Sequence, residues 1–390
     1  MMLSRHKIPA IVLAVVAACG VGCWIFQLMF GLGVTGMSNA TSWGLYITMF
    51  MFFVGLSAGG LIVASSASVF HIDKYKQVAL PAVILSTVCI CCAGMFVLID
   101  LGGVQRVWRI LTGANFTSPL VWDMCVITIY LVINVVYLAF MYKDGTNSRR
   151  ISIVSRFALP VAILVHSVTA WIFGLEIAKE GWNSAIMAPI FVASAMDSGL
   201  GLLLVCLIGL DKAKIIEFPR ALMKSLAGLF ATCIAVDAFL IFCELLTMGY
   251  NGGSGAQTLS IMLTGQTAPF FWFEAVFGLM VPFCLMVFQK ARERAGLVAL
   301  SGVLVILGVL CKRVWLLFTS FAELNVTGAP GVSLGTQAAQ QGGVDMWALG
   351  GVYLPTAYEV AIVLGVMCLG ALAFLVLVDR LVGTKVAAAA

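Results

Sequence analysis

Seven carboxylic acids interrupt long apolar stretches of this chain, where an ionised side chain would have to sit in hydrocarbon. They are Asp100, Asp123, Asp197, Asp237, Glu244, Glu274 and Glu359. A charge at the centre of a membrane helix costs about 3 kcal/mol on insertion scales. Acids that persist there usually face the interior of a helix bundle, pair with a base or carry protons. These seven therefore mark candidate positions for ion pairing or proton transfer.

Two bases, Lys312 and Arg313, are adjacent in another apolar stretch, and we expect them to pair with two of the acids. Because seven acids exceed two bases, we expect some carboxyls to be neutral in the resting protein, as proton handling requires. Asp237 and Glu244 are seven residues apart, so two helical turns place them on one helix face.

His166 is the one histidine within an apolar stretch. A single imidazole cannot supply both axial ligands of a membrane haem, so no haem is expected in this chain. The ring fits a proton relay and a satisfied core position equally well. Asp100, Asp123 and Glu359 fall near the ends of their stretches, where helix capping or hydration is as good an interpretation as function.

Ten apolar stretches are long enough to cross a bilayer, which takes roughly 20 helical residues. With 62% hydrophobic and 10% charged residues and a mean hydropathy of +1.10, almost the whole chain must lie in lipid. The sequence therefore predicts an all-α integral membrane protein. The predicted spans are residues 8–32, 43–70, 78–102, 120–142, 157–175, 188–210, 222–248, 269–288, 297–317 and 355–378.

The loops between these spans sort lysine and arginine by side. If the N-terminus is cytoplasmic, 17 of the 22 basic residues fall in inner segments, and the outer loops hold only Arg106, Arg109 and Lys179. The positive-inside rule then predicts a multi-pass protein of the bacterial inner membrane with both termini in the cytoplasm. The net charge of +5 follows from this topology and does not indicate nucleic-acid binding.

The N-terminus and the cysteines give two further expectations. Arg5 to Lys7 followed by apolar residues resembles a signal peptide, but the apolar sequence continues past Cys19, so an uncleaved first helix is predicted. All 12 cysteines fall within spans, and only Cys89 and Cys92 have CxxC spacing. Iron–sulfur clusters and structural zinc usually need four ligands, so neither these groups nor another metal site is expected.

An ordered set of short motifs runs along almost the full chain and resembles the NrfD/PsrC family of polysulfide reductase membrane subunits. Each motif alone is weak, and their order makes the set specific. The set comprises Trp43-Gly44-Leu45-Tyr46-Ile47, Val54-Gly55-Leu56-Ser57-Ala58-Gly59-Gly60, Asp100-Leu101-Gly102 with Arg106 and Trp108, Asn115-Phe116-Thr117-Ser118-Pro119 with Trp122-Asp123, His166 with Trp171-Ile172-Phe173, Gly181-Trp182-Asn183-Ser184, Phe271-Trp272-Phe273-Glu274, and Pro355-Thr356 with Glu359.

The resemblance implies a quinone-interacting membrane anchor in a respiratory oxidoreductase complex. Electrons would pass between a membrane quinone (menaquinone or ubiquinone) and an extracytoplasmic, ferredoxin-like iron–sulfur subunit. Further expected partners are a molybdopterin oxidoreductase, a hydrogenase or a multihaem cytochrome. The predicted quinone-binding or proton-relay residues are His166, Asp100, Asp197, Asp237, Glu244, Glu274, Arg106, Tyr46 and Trp122. One departure is that the second span carries Tyr46, Thr48 and Phe50 where the eight-span relatives have Asn and His near the quinone.

The resemblance also agrees with a division into parallel repeats. Small-residue stripes in the second and sixth spans, at Ser57–Gly60 and around Ser194–Gly199, permit close helix contact. We predict a first helix and outer loop over 1–42, four-helix bundles over 43–187 and 188–320, and an outer loop with the last helix over 321–390.

Two other classes of protein fit parts of this pattern. Secondary transporters also have about ten spans, repeats and buried charges, but they usually break helices with Gly or Pro at mid-membrane sites. A purely structural anchor without a quinone would not explain the surplus of embedded acids. We therefore treat the transporter and the structural anchor as the alternatives to the quinone-linked subunit.

Overall fold

The computed structural model describes residues 7–38, 41–145, 148–250, 252–322 and 353–382. Within these ranges ten helices are long and apolar enough to cross a membrane, so the predicted all-α membrane fold is confirmed. In chain order they are α1 Lys7–Phe30, α2 Leu45–Val69, α3 Ala79–Asp100, α4 Pro119–Asp144, α5 Arg149–Gly174, α6 Met187–Lys212, α7 Arg220–Tyr250, α8 Ala268–Val287, α9 Ala295–Ala322 and α10 Ala357–Leu381.

We call the membrane face at which α1 begins the near face, and the opposite one the far face. The near face carries the basic loops and is the side predicted to be cytoplasmic. Residues 1–6 and 383–390 lie outside the described residues, as does most of the predicted outer loop, 323–352.

The fifth helix begins about two turns earlier than predicted, at Arg149 rather than at residue 157. Arg149, Arg150 and Arg156 make these turns too polar for a hydropathy window. The side chain of Ser148 accepts a hydrogen bond from the Arg150 backbone N–H, which caps the helix start.

The second helix is the centre of the molecule. Almost all of α2 is buried, and it packs against α3, α5 and α6. At its crossing with α6, a Cβ atom added to Gly59 would lie 2.2 Å from the carbonyl carbon of Gly199. Only glycines allow this approach, so the small-residue stripes meet as the sequence indicated.

The first and last helices flank this core as a pair. The helix α1 packs on α10 and is otherwise largely exposed to the surroundings, while α10 also packs on α3. A Cβ atom on Gly20 would lie 2.6 Å from the Cα atom of Gly365, so α1 and α10 also cross at small residues. The division into two four-helix bundles remains a prediction.

Candidate functional site

An ion cluster lies fully inside the protein where α6, α7, α8 and α9 meet. The Lys312 ammonium on α9 donates to both carboxylate oxygens of Asp237 on α7, at 2.8 and 3.0 Å. It also lies 3.5 Å from an oxygen of Glu274 on α8. All three side chains are 2% exposed or less. Lys312 therefore holds two of the predicted site acids against one base.

The backbone of α8 brings Glu274 to this cluster. Residues Glu274–Met280 form a π-helix, the wider helical form that occurs mostly at functional sites. A Cβ atom on Gly278 would lie 2.7 Å from the Cα atom of Gly308, so α8 and α9 almost touch there. Glu274 then accepts a hydrogen bond of 2.5 Å from the indole N–H of Trp315 on α9.

Arg313 does not pair with an acid, contrary to the expectation from the sequence. Its guanidinium donates to the Ser194 hydroxyl at 2.8 Å and lies 4.1 Å from the centre of the Phe191 ring. Its Nε and Nη1 atoms are buried and have no hydrogen-bond partner in the described part of the chain. The side chain faces Gly55 of α2, where a Cβ atom would lie 3.5 Å from Nη2. Arg313 thus links the α6–α9 region to the central helix.

Asp197 completes the ion cluster and is its least satisfied member. The carboxyl is completely buried, and neither oxygen has a hydrogen-bond partner within the described ranges. It lies one helical turn from Ser194, which already binds Arg313. A buried carboxylate without a donor is costly, so we expect this group to hold a proton or to be bridged by water.

His166 bridges α5 and α2. Its two ring nitrogens lie 2.6 Å from the Ala162 carbonyl oxygen and 3.0 Å from the Val54 carbonyl oxygen. A neutral imidazole has one N–H and can donate to only one of them. The Val54 carbonyl precedes Gly55, so His166 and Arg313 approach the same turn of α2.

Sequence reasoning left Asp123 out of the site set, although it counted this acid among the seven. Its carboxylate is 4% exposed and accepts a 2.6 Å hydrogen bond from Thr169, one turn from His166 on α5. The apolar context of Asp123 was the available signal, but nothing in the sequence identified Thr169 as its partner.

Glu244 lies apart from the ion cluster even though it shares a helix face with Asp237. It accepts a 2.6 Å hydrogen bond from Ser184 in the loop between α5 and α6. Beside it is a cavity of about 30 Å³, room for roughly one or two waters. The cavity is mostly apolar, and its lining includes Met187, Met248, Met262, Trp315, Thr258 and Thr319. Trp315 therefore faces this cavity and also donates to Glu274.

A second polar group lies at the far face, under α1 and α10. Tyr46 is fully buried and donates at 2.6 Å to Gln27 of α1. Asp100 and Glu359 are close enough to interact electrostatically with Tyr46. The sequence placed Tyr46 and Asp100 in one set with the ion cluster, whereas the structure groups them with the flanking helices.

Glu359 is the best-satisfied acid in the molecule's apolar regions. One of its oxygens accepts from the backbone N–H groups of Gly36 and Thr356, each at 2.8 Å, and the other accepts from Tyr353. With Thr356 it also forms a capping box at the start of α10. Burial, with the nearby Glu359 charge, raises the pKa of Tyr353, so this hydroxyl keeps the proton that it donates. We call Gly36, Tyr353, Thr356 and Glu359 the Glu359 clamp.

The remaining two predicted site residues lie at the surface. Arg106 is exposed and lines a wide cleft at the far face. Trp122 is 37% exposed and donates its indole N–H to the Phe116 carbonyl oxygen at 2.6 Å. Neither contacts the ion cluster. Over the described ranges, no three His, Cys, Asp or Glu side chains gather as metal ligands.

Comparison with known proteins identifies the family. The family model "Polysulphide reductase, NrfD" matches residues 33–325. The chain is 36% identical to a putative dimethyl sulfoxide reductase membrane subunit of Halobacterium salinarum, over 93% of this protein and 88% of the relative. It is 28% identical to an Hdr-like menaquinol oxidoreductase integral membrane subunit of Archaeoglobus fulgidus (94% and 91%). It is 25% identical to a polypeptide of the polysulfide reductase of Wolinella succinogenes (72% and 94%). The chain belongs to the NrfD family of polysulfide reductase membrane subunits.

Proposed function

We propose that this chain is the quinone-interacting membrane subunit of a respiratory oxidoreductase complex. It would exchange electrons between a membrane quinone and an extracytoplasmic iron–sulfur partner while embedded carboxylates handle the protons. The observation that carries this proposal is the ion cluster, in which three buried acids face two buried bases and Asp197 has no donor. Two relatives named for menaquinol and menaquinone chemistry support the choice of a quinone.

The cavity beside Glu244 suits a quinone head group best. A quinone needs an apolar slot and a group that can take up or supply its protons, and here Glu244 would be that group. The present volume is too small for the ring, so the head group would have to displace side chains. Met187, Met248 and Met262 are unbranched and flexible, which suits such a displacement. Bound quinone would supply the two-electron chemistry, and the protein would position its ring and exchange protons.

Protons would move between this cavity and the ion cluster. Trp315 borders the cavity and fixes Glu274, which Lys312 links to Asp237. Asp197 lies close enough to Asp237 and Lys312 to interact electrostatically with both. A proton taken up at Glu244 would thus have acids along a continuous series of buried residues, ending at Asp197. His166 and Arg313 would connect this series to the central helix α2.

The electrons would leave or enter through another subunit. We expect this chain to hold no haem or iron–sulfur cluster, because its one buried histidine and scattered cysteines do not provide a ligand set. Relatives named for dimethyl sulfoxide, selenate and polysulfide reductases favour a molybdopterin enzyme as the terminal partner. The iron–sulfur subunit would bind at the far face, outside the cytoplasmic membrane, with both termini of this chain inside.

The test is quinone-linked turnover of the assembled complex carrying Glu244→Gln. Loss of the exchangeable proton should lower turnover about 100-fold or more, as for other general acid–base groups. The matched control is Glu176→Gln, an exposed acid in the loop that also carries Ser184. We expect the control to match wild type within about twofold.

Three other results would contradict the proposal in different ways. Wild-type turnover in Glu244→Gln, with loss in Tyr46→Phe, would move the quinone to the cluster under α1 and α10. Wild-type turnover in Glu244→Gln, Tyr46→Phe and His166→Ala would remove the site assignment altogether. A purified complex that binds no quinone-site inhibitor would favour a structural anchor or a transporter.

A further inference from the structure

A wide cleft opens at the far face between the end of α1 and the segment that follows α3. It has a volume of about 660 Å³ and is separate from the cavity beside Glu244. Gly31 forms part of one wall, and the other wall includes Leu101 and Gly102. Gly31 and Gly102 have positive φ angles of 77° and 62°, and the Leu32 side chain packs against Gly102. Both walls are therefore shaped by turns that favour glycine.

Two arginines, Arg106 and Arg109, line this cleft together with Gln105. No ion pair joins either guanidinium to an acid among the described residues. These are two of only three basic residues in the loops of the face predicted to be external, where positive charge is otherwise avoided. Their concentration at one cleft calls for an anionic occupant.

The surrounding side chains place the cleft at the depth of lipid headgroups. Trp108 and Leu111 are 56% and 77% exposed on the same short segment, and the Arg109 guanidinium lies 5.9 Å from the centre of the Trp108 ring. Exposed Trp beside Arg is typical of the membrane–water interface, where the ring enters the acyl boundary and the cation reaches phosphate. An acidic protein surface would have no reason to require these apolar neighbours.

We propose that the Arg106–Arg109 cleft binds the phosphate of an anionic phospholipid headgroup. The two guanidinium groups hold the phosphate oxygens, Gln105 supplies a further amide to the headgroup, and Trp108 and Leu111 border the acyl chains. A guanidinium suits this task because its planar N–H groups match phosphate geometry. The bound lipid thereby joins the end of α1 to the segment after α3. This inference does not depend on the proposed quinone chemistry.

The test uses the purified full-length protein, stripped of lipid in a neutral detergent and titrated with phosphatidylglycerol. Native mass spectrometry measures bound lipid, and phosphatidylcholine with the same acyl chains is the reference. We expect the Arg106→Gln/Arg109→Gln double variant to bind phosphatidylglycerol roughly tenfold more weakly or worse, with phosphatidylcholine binding little changed. Lys179→Gln, the third basic residue of this face, is the matched control and should bind as wild type does.

Further arms keep the result decisive. An Arg106→Lys/Arg109→Lys variant keeps both charges and should retain most of the preference, which guards against misfolding of the neutral variant. An equal loss in Lys179→Gln, or no loss in the double variant, would overturn the proposal. Displacement of the lipid by millimolar inorganic phosphate would show that the cleft takes the free anion instead. Loss of a co-purifying partner subunit with unchanged lipid binding would assign the cleft to a protein.

Discussion

The Glu359 clamp and the ion cluster both bury carboxylates under apolar helices, yet they are built in opposite ways. The clamp has no base, and both oxygens of Glu359 accept hydrogen bonds, mostly from groups nearby in the chain. The ion cluster contains Lys312 and Arg313, but Asp197 and part of Arg313 have no partner among the described residues. A fully satisfied acid holds structure together, whereas an incompletely satisfied group can change its protonation or its contacts. The comparison therefore separates a structural carboxylate from functional ones.

The largest expected effect comes from removing the single base that holds two acids. Lys312→Met leaves Asp237 and Glu274 buried without their counter-charge, which should cost about 3–5 kcal/mol of stability. The measurement is the thermal midpoint and yield of the purified protein. The double variant Lys312→Met/Asp237→Asn removes one acid as well and should recover much of the loss. A double variant no better than the single one would show that charge is not the cause.

The two regions share the central helix α2, so its crossing with α6 should affect both. Gly59→Ala places a methyl group against the Gly199 backbone and should cost about 1–3 kcal/mol of stability. Gly94→Ala is the control, because a Cβ atom at Gly94 of α3 meets nothing within 4 Å. Equal midpoints for the two variants would mean that α2 and α6 are not in close contact.

Glu359→Gln tests the structural half of the comparison. The amide keeps one acceptor oxygen but replaces the other with a donor, which faces the Tyr353 hydroxyl or the backbone N–H groups. We expect a loss of about 1–3 kcal/mol in stability and unchanged quinone-linked turnover per assembled complex. Reduced turnover with a normal midpoint would place Glu359 in the functional group instead.

The smallest effect should come from an ion pair outside the membrane. Lys224, through a 2.7 Å salt bridge, holds the pKa of Glu293 below its usual value. The pair therefore contributes stability above the ordinary carboxylate pKa and loses it as the pH falls through the lowered one. The midpoint difference between wild type and Glu293→Gln should be small at pH 7 and vanish in acid. A difference that grows in acid would reverse this assignment.

The sequence alone predicted the fold through apolar length and loop charge, because these are local properties of one segment. It failed at the start of α5, where Arg149, Arg150 and Arg156 hide a continuing helix. It could not predict the π-helix at Glu274, since α and π forms differ in backbone pairing and not in composition. Such deviations shift which residues face the interior.

The pairings within the site were less predictable because they depend on where different helices cross. The surplus of acids implied that Lys312 would find a partner, but not that it would hold both Asp237 and Glu274. Arg313 lies one residue further around α9, so it reaches Ser194 and Phe191 instead of an acid. Asp237 and Glu244 share a face but sit at different depths, and the loop carrying Ser184 reaches only Glu244.

Redox-induced infrared difference spectroscopy of the assembled complex tests most directly whether the ion cluster exchanges protons with the quinone. When the quinone pool is reduced and reoxidised, a carboxylic acid C=O band should change in the wild type. That band should disappear in Asp197→Asn and persist in Glu359→Gln. A band unaltered in Asp197→Asn, Asp237→Asn and Glu274→Gln would show that these buried acids take no part in quinone chemistry.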